Sequence, residues 1–302
     1  KDAQSLIYLY RLFRREQPDL LFAYQAKSIV YGCVGAKFAG VPNIYALLAG
    51  LGSIFQPNGL KGNILKAVLV RQYRIAFSHC RKIFFQNEDD INEFVKLKII
   101  KRENTVLING SGVNLEHFVP ASMPHTFAFL YMGRLLRDKG LFEYMEAARL
   151  VKKYCPSARC LVLGPMETNP TAIRLGDIEG YINDGSIEYL GETHDVRPFL
   201  KECSVFVLPS YREGTSRAAL EAMATARPVI TTDVPGCRET VINRVNGFLV
   251  PAKNVEALAE KMIWMFEHPA EAQRMGLESL RICREKFDVV QVNKVIIKTM
   301  LL

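Results

Sequence analysis

Two pairs of charged residues have the types and spacing to do chemistry. Arg134 and Lys139 flank the turn Gly133-Arg134-Leu135-Leu136-Arg137-Asp138-Lys139-Gly140, between a strand-like run and a helical one. Two cations beside a helix start suit a diphosphate: the first amides of a helix carry partial positive charge, and cationic side chains add charge-assisted hydrogen bonds. Glu213 and Glu221 stand eight residues apart in a second such segment. Along a continuous helix that is about 12 Å, too far to share a proton but suited to the two ends of an elongated ligand. Between them Gly214 lets backbone approach a ligand closely. The amides of Gly214, Thr215 and Ser216 precede a helix and can bind an anion. Glu221, followed by Ala222, Met223 and Ala224, reads as partly buried and in need of a polar partner. The plain alternative is a pair of solvated loop cations, an acidic helix cap and a surface glutamate.

These residues need elements to hold them, and extended runs alternate with helical ones along the chain. Asp19–Tyr24, Asn43–Leu47, Arg81–Phe85 and Thr105–Ile108 read as strands. Lys27–Ala39, Leu60–Phe77 and Glu88–Leu97 read as helices, with Ile64, Leu65, Val68 and Leu69 on one face of the second. Two glycines in Asn109-Gly110-Ser111-Gly112 break the pattern, and Pro120 and Pro124 follow, so a boundary is expected at 112–124. Alternation then resumes. Strands are expected at Phe127–Met132, Ala158–Leu163, Ile187–Tyr189, Ser204–Leu208, Pro228–Thr231 and Gly247–Val250. Helices are expected at Lys139–Tyr154, Asp195–Glu202, Arg217–Thr225, Asn254–Glu267, Ala270–Glu285 and Gln291–Leu302. The order predicts two doubly wound α/β units. Ligands of such sheets bind beyond the carboxyl ends of the strands, where both charged pairs fall.

The 302 residues, 49% hydrophobic and 23% charged, suffice for two cores and exclude a disordered or collagen-like chain. No apolar run is long enough to span a bilayer. Seven cysteines, an odd number at wide spacings and without C-x-x-C, argue against a disulfide framework or a zinc site, and point to a reducing cytoplasm. Residues 1–120 carry 16 Lys and Arg against 9 Asp and Glu, so almost all of the net charge of +8 lies there. Phosphate groups, anionic lipid or nucleic acid could each answer to that excess, as could simple solubility.

The segment Glu213-Gly214-Thr215-Ser216-Arg217-Ala218-Ala219-Leu220-Glu221 resembles the E-x7-E motif of retaining glycosyltransferases. The longer stretches Phe206–Ala224 and Arg227–Glu239 are similar to glycosyltransferase family 4. Met132-Gly133-Arg134 with Lys139-Gly140 resembles that family's R-x4-K pair, and Asn109–Val113 and Asn246–Pro251 resemble two further family segments. The resemblance covers essentially the whole chain. It implies a GT-B fold, with two Rossmann-like domains facing a cleft: an acceptor-binding domain at 1–115, a nucleotide-sugar-binding domain at 116–287, and a helix at 288–302 crossing back to the first. Arg134 and Lys139 would hold the donor diphosphate and Glu213 the sugar hydroxyls. Gly133, Gly214, Thr215 and Ser216 would present backbone to sugar or phosphate, and Glu221 would take the ribose. Gly164, Leu190 and Gly191 would lie near base and ribose. No metal or other cofactor is implied; the cation pair would stabilise the departing diphosphate. The acceptor hydroxyl would attack on the face the diphosphate leaves, and a phosphate oxygen would take its proton.

Two departures from the family stand out. Its opening strand and glycine-rich loop, about seventy residues by usual domain sizes, are expected to precede Lys1, so the chain reads as N-terminally truncated. A His-Gly pair common in relatives is replaced by Ala49-Gly50-Leu51-Gly52, whose Gly50 and Gly52 would open backbone to the cleft. That form resembles relatives that build capsule and O-antigen oligosaccharides. It implies a UDP-hexose or UDP-N-acetylhexosamine donor and a polyprenyl-diphosphate-linked acceptor, in a cytoplasmic protein peripheral to the inner face of the membrane. Arg71, Arg74, Arg81 and Lys82, with Tyr73 and Phe77, would then meet an anionic bilayer. No nucleic-acid motif is present. A UDP-sugar 2-epimerase type of enzyme and a non-catalytic membrane-associated module remain alternatives.

Overall fold

A computed structural model describes residues 2–51, 55, 59–168 and 171–301; Gly52 lies outside them. The chain divides into two compact units, 1–111 with 292–302, and 112–291.

The first unit holds strands β1 (Leu20–Tyr24), β2 (Asn43–Leu48), β3 (Lys82–Phe85) and β4 (Thr105–Leu107), all parallel and paired in that order. Its helices are α1 (Asp2–Glu16), α2 (Cys33–Ala39), α3 (Gly59–Phe77) and α4 (Glu88–Lys96). Helix α1 was not expected from the sequence. The helix expected from Lys27 opens instead with a π-helical turn, Ser28–Gly32, and ends at Gly40, whose φ of +88° closes the C-terminus. Asn87 caps α4 by accepting from the Asp90 amide at 2.8 Å, and Glu88, Asp89 and Asp90 face the positive end of the helix.

Helix α3 turns a different face to the core than its apolar pattern suggests. Tyr73, Ala76 and Phe77 are buried, and Phe55, Tyr73, Phe77, Phe85 and Phe94 form one aromatic cluster, with Tyr73 stacked on Phe77 at 5.2 Å. Tyr73 and Phe77 therefore cannot meet a bilayer. Arg74 is spent on the carbonyls of Leu97 and Lys98, and Lys82 on that of Glu103. Ile64, Leu65 and Val68 stand exposed, while Leu69 packs against the core.

The second unit has strands β5 (Ala128–Met132), β6 (Arg159–Leu163), β7 (Glu188–Tyr189), β8 (Val205–Leu208), β9 (Val229–Thr232) and β10 (Gly247–Val250). Its helices are α5 (Leu141–Tyr154), α6 (Leu175–Asn183), α7 (Arg197–Glu202), α8 (Arg217–Ala224), α9 (Val255–Glu267) and α10 (Pro269–Lys286). Helix α6 escaped the sequence reading; Asp177 secures its start by accepting from the Arg174 amide at 2.9 Å. The sheet is wholly parallel, in the order β10-β9-β8-β5-β6-β7. Every residue of β5 and β8 is buried, as parallel strands covered on both faces require. The chain runs outward from β5 through β6 to β7, then returns to lay β8 on β5's other side. The carboxyl ends of β5 and β8 thus flank the switch point where doubly wound sheets open a crevice.

One buried charge braces the opposite end of this sheet. Arg227 is fully buried and donates to the carbonyls of Leu200, Lys201 and Ser122 at 2.9–3.0 Å. Two of those acceptors are the free carbonyls at the end of α7, which need a donor. A last helix, α11 (Val289–Leu301), leaves the second unit. Its Val292 and Ile296 pack in the first with Tyr45, Leu47, Phe84 and Ile108.

Candidate active site

The loop after β5 and the loop after β8 meet at the switch point and bring two of the singled-out side chains, Lys139 and Glu213, together. Lys139 ends a 3-10 turn, Arg137–Lys139, and its Nζ forms an ion pair with Glu213 Oε1. Ser210 Oγ donates to the same carboxylate oxygen at 2.7 Å. Both partners are largely shielded: the Lys139 side chain is 22% exposed and that of Glu213 is 12%. Arg134 lies nearer solvent, 56% exposed, and meets Glu167 at 3.6 Å. So each cation of the pair already faces a carboxylate.

Backbone locks the two loops to each other. The Tyr211 amide donates to the Asp138 carbonyl at 2.9 Å. Gly140, at φ +70°, lies so close under Pro209 that a Cβ there would fall on the Pro209 carbonyl oxygen. The Glu213 amide donates to the Pro235 carbonyl at 3.0 Å, and Gly236 packs against Glu213's own carbonyl.

Glu213 is not on a helix, so the separation reckoned along one continuous helix does not apply. Ser216 is the N-cap of α8 and accepts from the Ala219 amide at 3.2 Å. Gly214 and Thr215 precede it in the loop, with Thr215 and Ser216 buried. Glu221 sits in the body of α8 with its side chain 14% exposed, and its polar partner is Arg217, one turn back at 3.6 Å. Burial raises the Glu221 carboxyl above its ordinary value, with Arg217 opposing.

The loop after β6 adds the third wall. The Gly133 amide donates to the Leu163 carbonyl at 3.0 Å, and Gly164 donates to the Gly191 carbonyl at 2.8 Å. A Cβ on Gly164 would collide with the Gly133 carbonyl, so the two loop starts are in backbone contact. The Leu190 amide pairs with Val162 at 2.9 Å, and Gly191, at φ +75°, leaves open space where a side chain would stand. Gly133, Gly164, Leu190 and Gly191 thus line one edge with main chain. Gly50 lies in the first unit at φ +144°, two residues beyond β2. Among the described residues, no group of three or more His, Cys, Asp or Glu gathers as metal ligands.

This site falls in a stretch with known relatives. Residues 126–268 match the family described as Glycosyl transferases group 1, and residues 1–87 match Glycosyl transferase 4-like. The chain belongs to these glycosyltransferases. The enzyme is similar to the N,N'-diacetylbacillosaminyl-diphospho-undecaprenol alpha-1,3-N-acetylgalactosaminyltransferase of Campylobacter jejuni. The two are 29% identical over 87% of this chain and 72% of the relative. It is 28% identical to an Escherichia coli UDP-Gal:alpha-D-GlcNAc-diphosphoundecaprenol alpha-1,3-galactosyltransferase, over 87% of this chain and 70% of that one. The capsular polysaccharide biosynthesis glycosyltransferase CapM of Staphylococcus aureus is 26% identical over 95% of this chain and 77% of its own length. Among solved structures, sucrose-phosphate synthase of Thermosynechococcus elongatus superposes with a TM-score of 0.82 at 20% identity, over 97% of this glycosyltransferase and 77% of that chain. HepE of Anabaena, solved in complex with UDP, gives 0.79 at 18% identity, over 97% and 81%. The fold is GT-B.

Several residues of this glycosyltransferase's site escaped sequence reasoning. Ser210 and Tyr211 lie inside the quoted motif, yet nothing in their spacing marks a contact with Glu213 or Glu143. Glu143, three residues past Gly140, receives a hydrogen bond from Tyr211 at 2.6 Å across 68 positions of chain. Glu167 meets Arg134 from the loop after β6, which carries no periodic signal.

Proposed function

We propose that this glycosyltransferase moves a hexose or N-acetylhexosamine from a UDP-sugar to a polyprenyl-diphosphate-linked glycan, retaining anomeric configuration and using no metal. The observation that carries the reading is the Lys139–Glu213 ion pair at the switch point of the second unit, with Arg134 in the same turn as Lys139 and paired with Glu167. Lys139 and Arg134 take the diphosphate and offset the charge that builds as the C1–O bond to phosphate breaks. Glu213 accepts from sugar hydroxyls. The acceptor hydroxyl forms the new bond to C1 on the same face, and its proton passes to the departing phosphate oxygen, so no protein base is assigned. Glu221 accepts from the ribose hydroxyls. Gly164, Leu190 and Gly191 border the base, and Gly50 and Gly52 belong to the acceptor side. The lipid-linked acceptors and the UDP-Gal donor in the relatives' names, and the UDP complex of HepE, support this choice.

Calorimetric titration with UDP between pH 4.5 and 8 tests it. An ionised carboxylate accepts from ribose hydroxyls through both oxygens and more strongly than its protonated form, so UDP binds the ionised form of Glu221 more tightly. Its pKa is raised, so affinity falls with pH while still above the ordinary carboxylate value of 4.5. Glu221→Gln weakens UDP about tenfold, one or two hydrogen bonds to a charged group, and flattens that acid limb. Unchanged UDP binding in Glu221→Gln, or a UDP-sugar converted to its epimer without acceptor, would sink the reading.

A membrane surface is part of the same proposal, carried by α3. Leu60, Ile64, Val68, Arg71 and Ile75 recur every three or four residues and are exposed, forming one outward stripe. With the first unit's positive excess, the stripe fits an anionic bilayer. No helix among the described residues is long and apolar enough to cross a membrane. Sedimentation with phosphatidylglycerol vesicles should capture the chain, with capture weakened by salt. Val68→Asp should cut partitioning about tenfold, the loss of one buried apolar side chain. Equal binding to phosphatidylcholine, or none, would remove the membrane contact and leave the donor site standing.

A further inference from the structure

We propose that Tyr211 and Glu143 form a brace that positions Glu213 for the sugar. The proposal rests on the reading of Glu213 as the sugar-contacting carboxylate. Tyr211 lies two residues before Glu213, in the loop leaving β8. Its main chain is tied to Asp138, one residue before Lys139, and its hydroxyl reaches past the turn to Glu143 in the first turn of α5. The Glu213 loop is therefore pinned to the Lys139 turn on two sides: by the Lys139 ion pair toward the ligand, and by Tyr211 and Glu143 behind it.

The chemistry of the contact favours a rigid tie over incidental packing. The Tyr211 hydroxyl donates to a carboxylate at 2.6 Å, a charge-assisted bond stronger than a neutral one. The second oxygen of Glu143, Oε2, is buried and accepts no hydrogen bond from the protein. Tyr211 thus meets one oxygen of this carboxylate, and losing it leaves both oxygens unmet among the described residues. Burial and the Glu143 bond both push the Tyr211 hydroxyl's pKa upward, so it stays a donor throughout the working range. On its other side the Tyr211 ring faces the Lys253 ammonium at 4.8 Å. The hydroxyl is thereby aimed and the ring held.

Neither residue is assigned a contact with donor or acceptor. Their effect runs through Glu213, which sets the expected signature. Sugar transfer should suffer while the affinity for UDP, which lacks the sugar, should not. The experiment measures UDP release from UDP-glucose, UDP-galactose and UDP-N-acetylgalactosamine, and UDP affinity by calorimetry. It compares Tyr211→Phe, Glu143→Ala, Glu143→Gln and Glu213→Ala, and each of the first two combined with Glu213→Ala. Tyr211→Phe and Glu143→Ala should each lower kcat about tenfold, the weight of one charge-assisted bond, with the UDP dissociation constant unchanged within about twofold. Glu143→Gln, which keeps an acceptor for Tyr211, should recover most of the loss. In the Glu213→Ala background neither change should cost more, because coupled residues are non-additive. Additive losses, or a loss of UDP affinity that matches the loss of turnover, would overturn the brace and leave the role of Glu213 intact. Full turnover in Glu213→Ala itself would overturn the reading beneath it.

Discussion

Replacing Lys139 with Met is expected to cut turnover by about 10²–10³, the cost of deleting one preorganised group that stabilises developing charge. Arg134→Met should cost far less, about tenfold. The difference follows from exposure: the Arg134 side chain is 56% exposed and its charge screened by water, whereas the Lys139 side chain is 22% exposed. Lys139 also has a second task. It neutralises Glu213, whose side chain is 12% exposed and which also accepts from the Ser210 hydroxyl on the same oxygen. Removing the ammonium strands a shielded carboxylate, so Lys139→Met should lower the melting temperature as well. Combining it with Glu213→Gln should restore the melting temperature and leave turnover low. Recovery of the melting temperature would assign the stability loss to the stranded carboxylate, and Glu213→Gln alone gives the turnover against which the double variant is compared. Steady-state rates and thermal melts of the single and double variants supply the check. Turnover of Lys139→Met within threefold of the parent, or Arg134→Met as the more damaging change, would remove Lys139 from its assigned place at the diphosphate.

The same ion pair bears on what donor binding must do. Lys139 faces Glu213, and Arg134 faces Glu167, before any diphosphate arrives. On the proposed reading, a bound diphosphate would compete with both carboxylates for the cations. Glu213, released from Lys139, would gain lone pairs for sugar hydroxyls. Donor recognition and the freeing of the sugar-contacting carboxylate would then be one exchange of partners, with the proposed brace of Tyr211 and Glu143 keeping Glu213 in place while its front partner changes.

How far the sequence could anticipate this depends on whether a feature is local. The turn after β5 is local: apolar Ala128–Met132 ends at a glycine, and Arg134 and Lys139 follow within six residues of it. The second motif is local in the same sense, and Ser216 caps its helix as its residue type suggests. Contacts across the sheet are not local. Lys139 and Glu213 are 74 positions apart, and only the strand order that sets β8 beside β5 joins them. Helix α6 escaped because Gly176 and Gly180 weaken its helical signal. Helix α3 misled in another way. It has apolar residues on two faces, and periodicity alone cannot tell which one the aromatic cluster around Phe94 will claim. Tyr73 and Phe77 went inward because they complete that cluster, and Ile64 and Val68 were left outside.

Gly140→Ala is expected to damage both stability and turnover. A left-handed φ costs an L-residue about 1–2 kcal/mol wherever it occurs. At Gly140, φ is +70° and the new Cβ would also fall on the Pro209 carbonyl oxygen, so backbone must move. Overpacking of that kind adds about 1–3 kcal/mol, for a total of about 3 kcal/mol in unfolding free energy. The movement has nowhere harmless to go. Pro209 opens the loop that carries Ser210, Tyr211 and Glu213, and Gly140 directly follows Lys139. A shift that relieves the clash therefore pulls the Lys139 turn away from Glu213, and turnover should fall at least tenfold even where the chain remains folded. Gly185→Ala separates the two costs. Gly185 has nearly the same φ, +74°, but open space around the added carbon, and it lies at the end of α6, away from both loops. It should lose only the 1–2 kcal/mol of backbone strain and keep full turnover. Denaturant unfolding of the two variants, read beside their rates, compares the same methyl at the same dihedral with and without the Pro209 carbonyl. Equal losses in both would mean that strain alone is at work and that the close approach of the two loops does not hold the site. A larger loss at Gly140 in both stability and rate would tie the fit of backbone on backbone at the switch point to the chemistry above it.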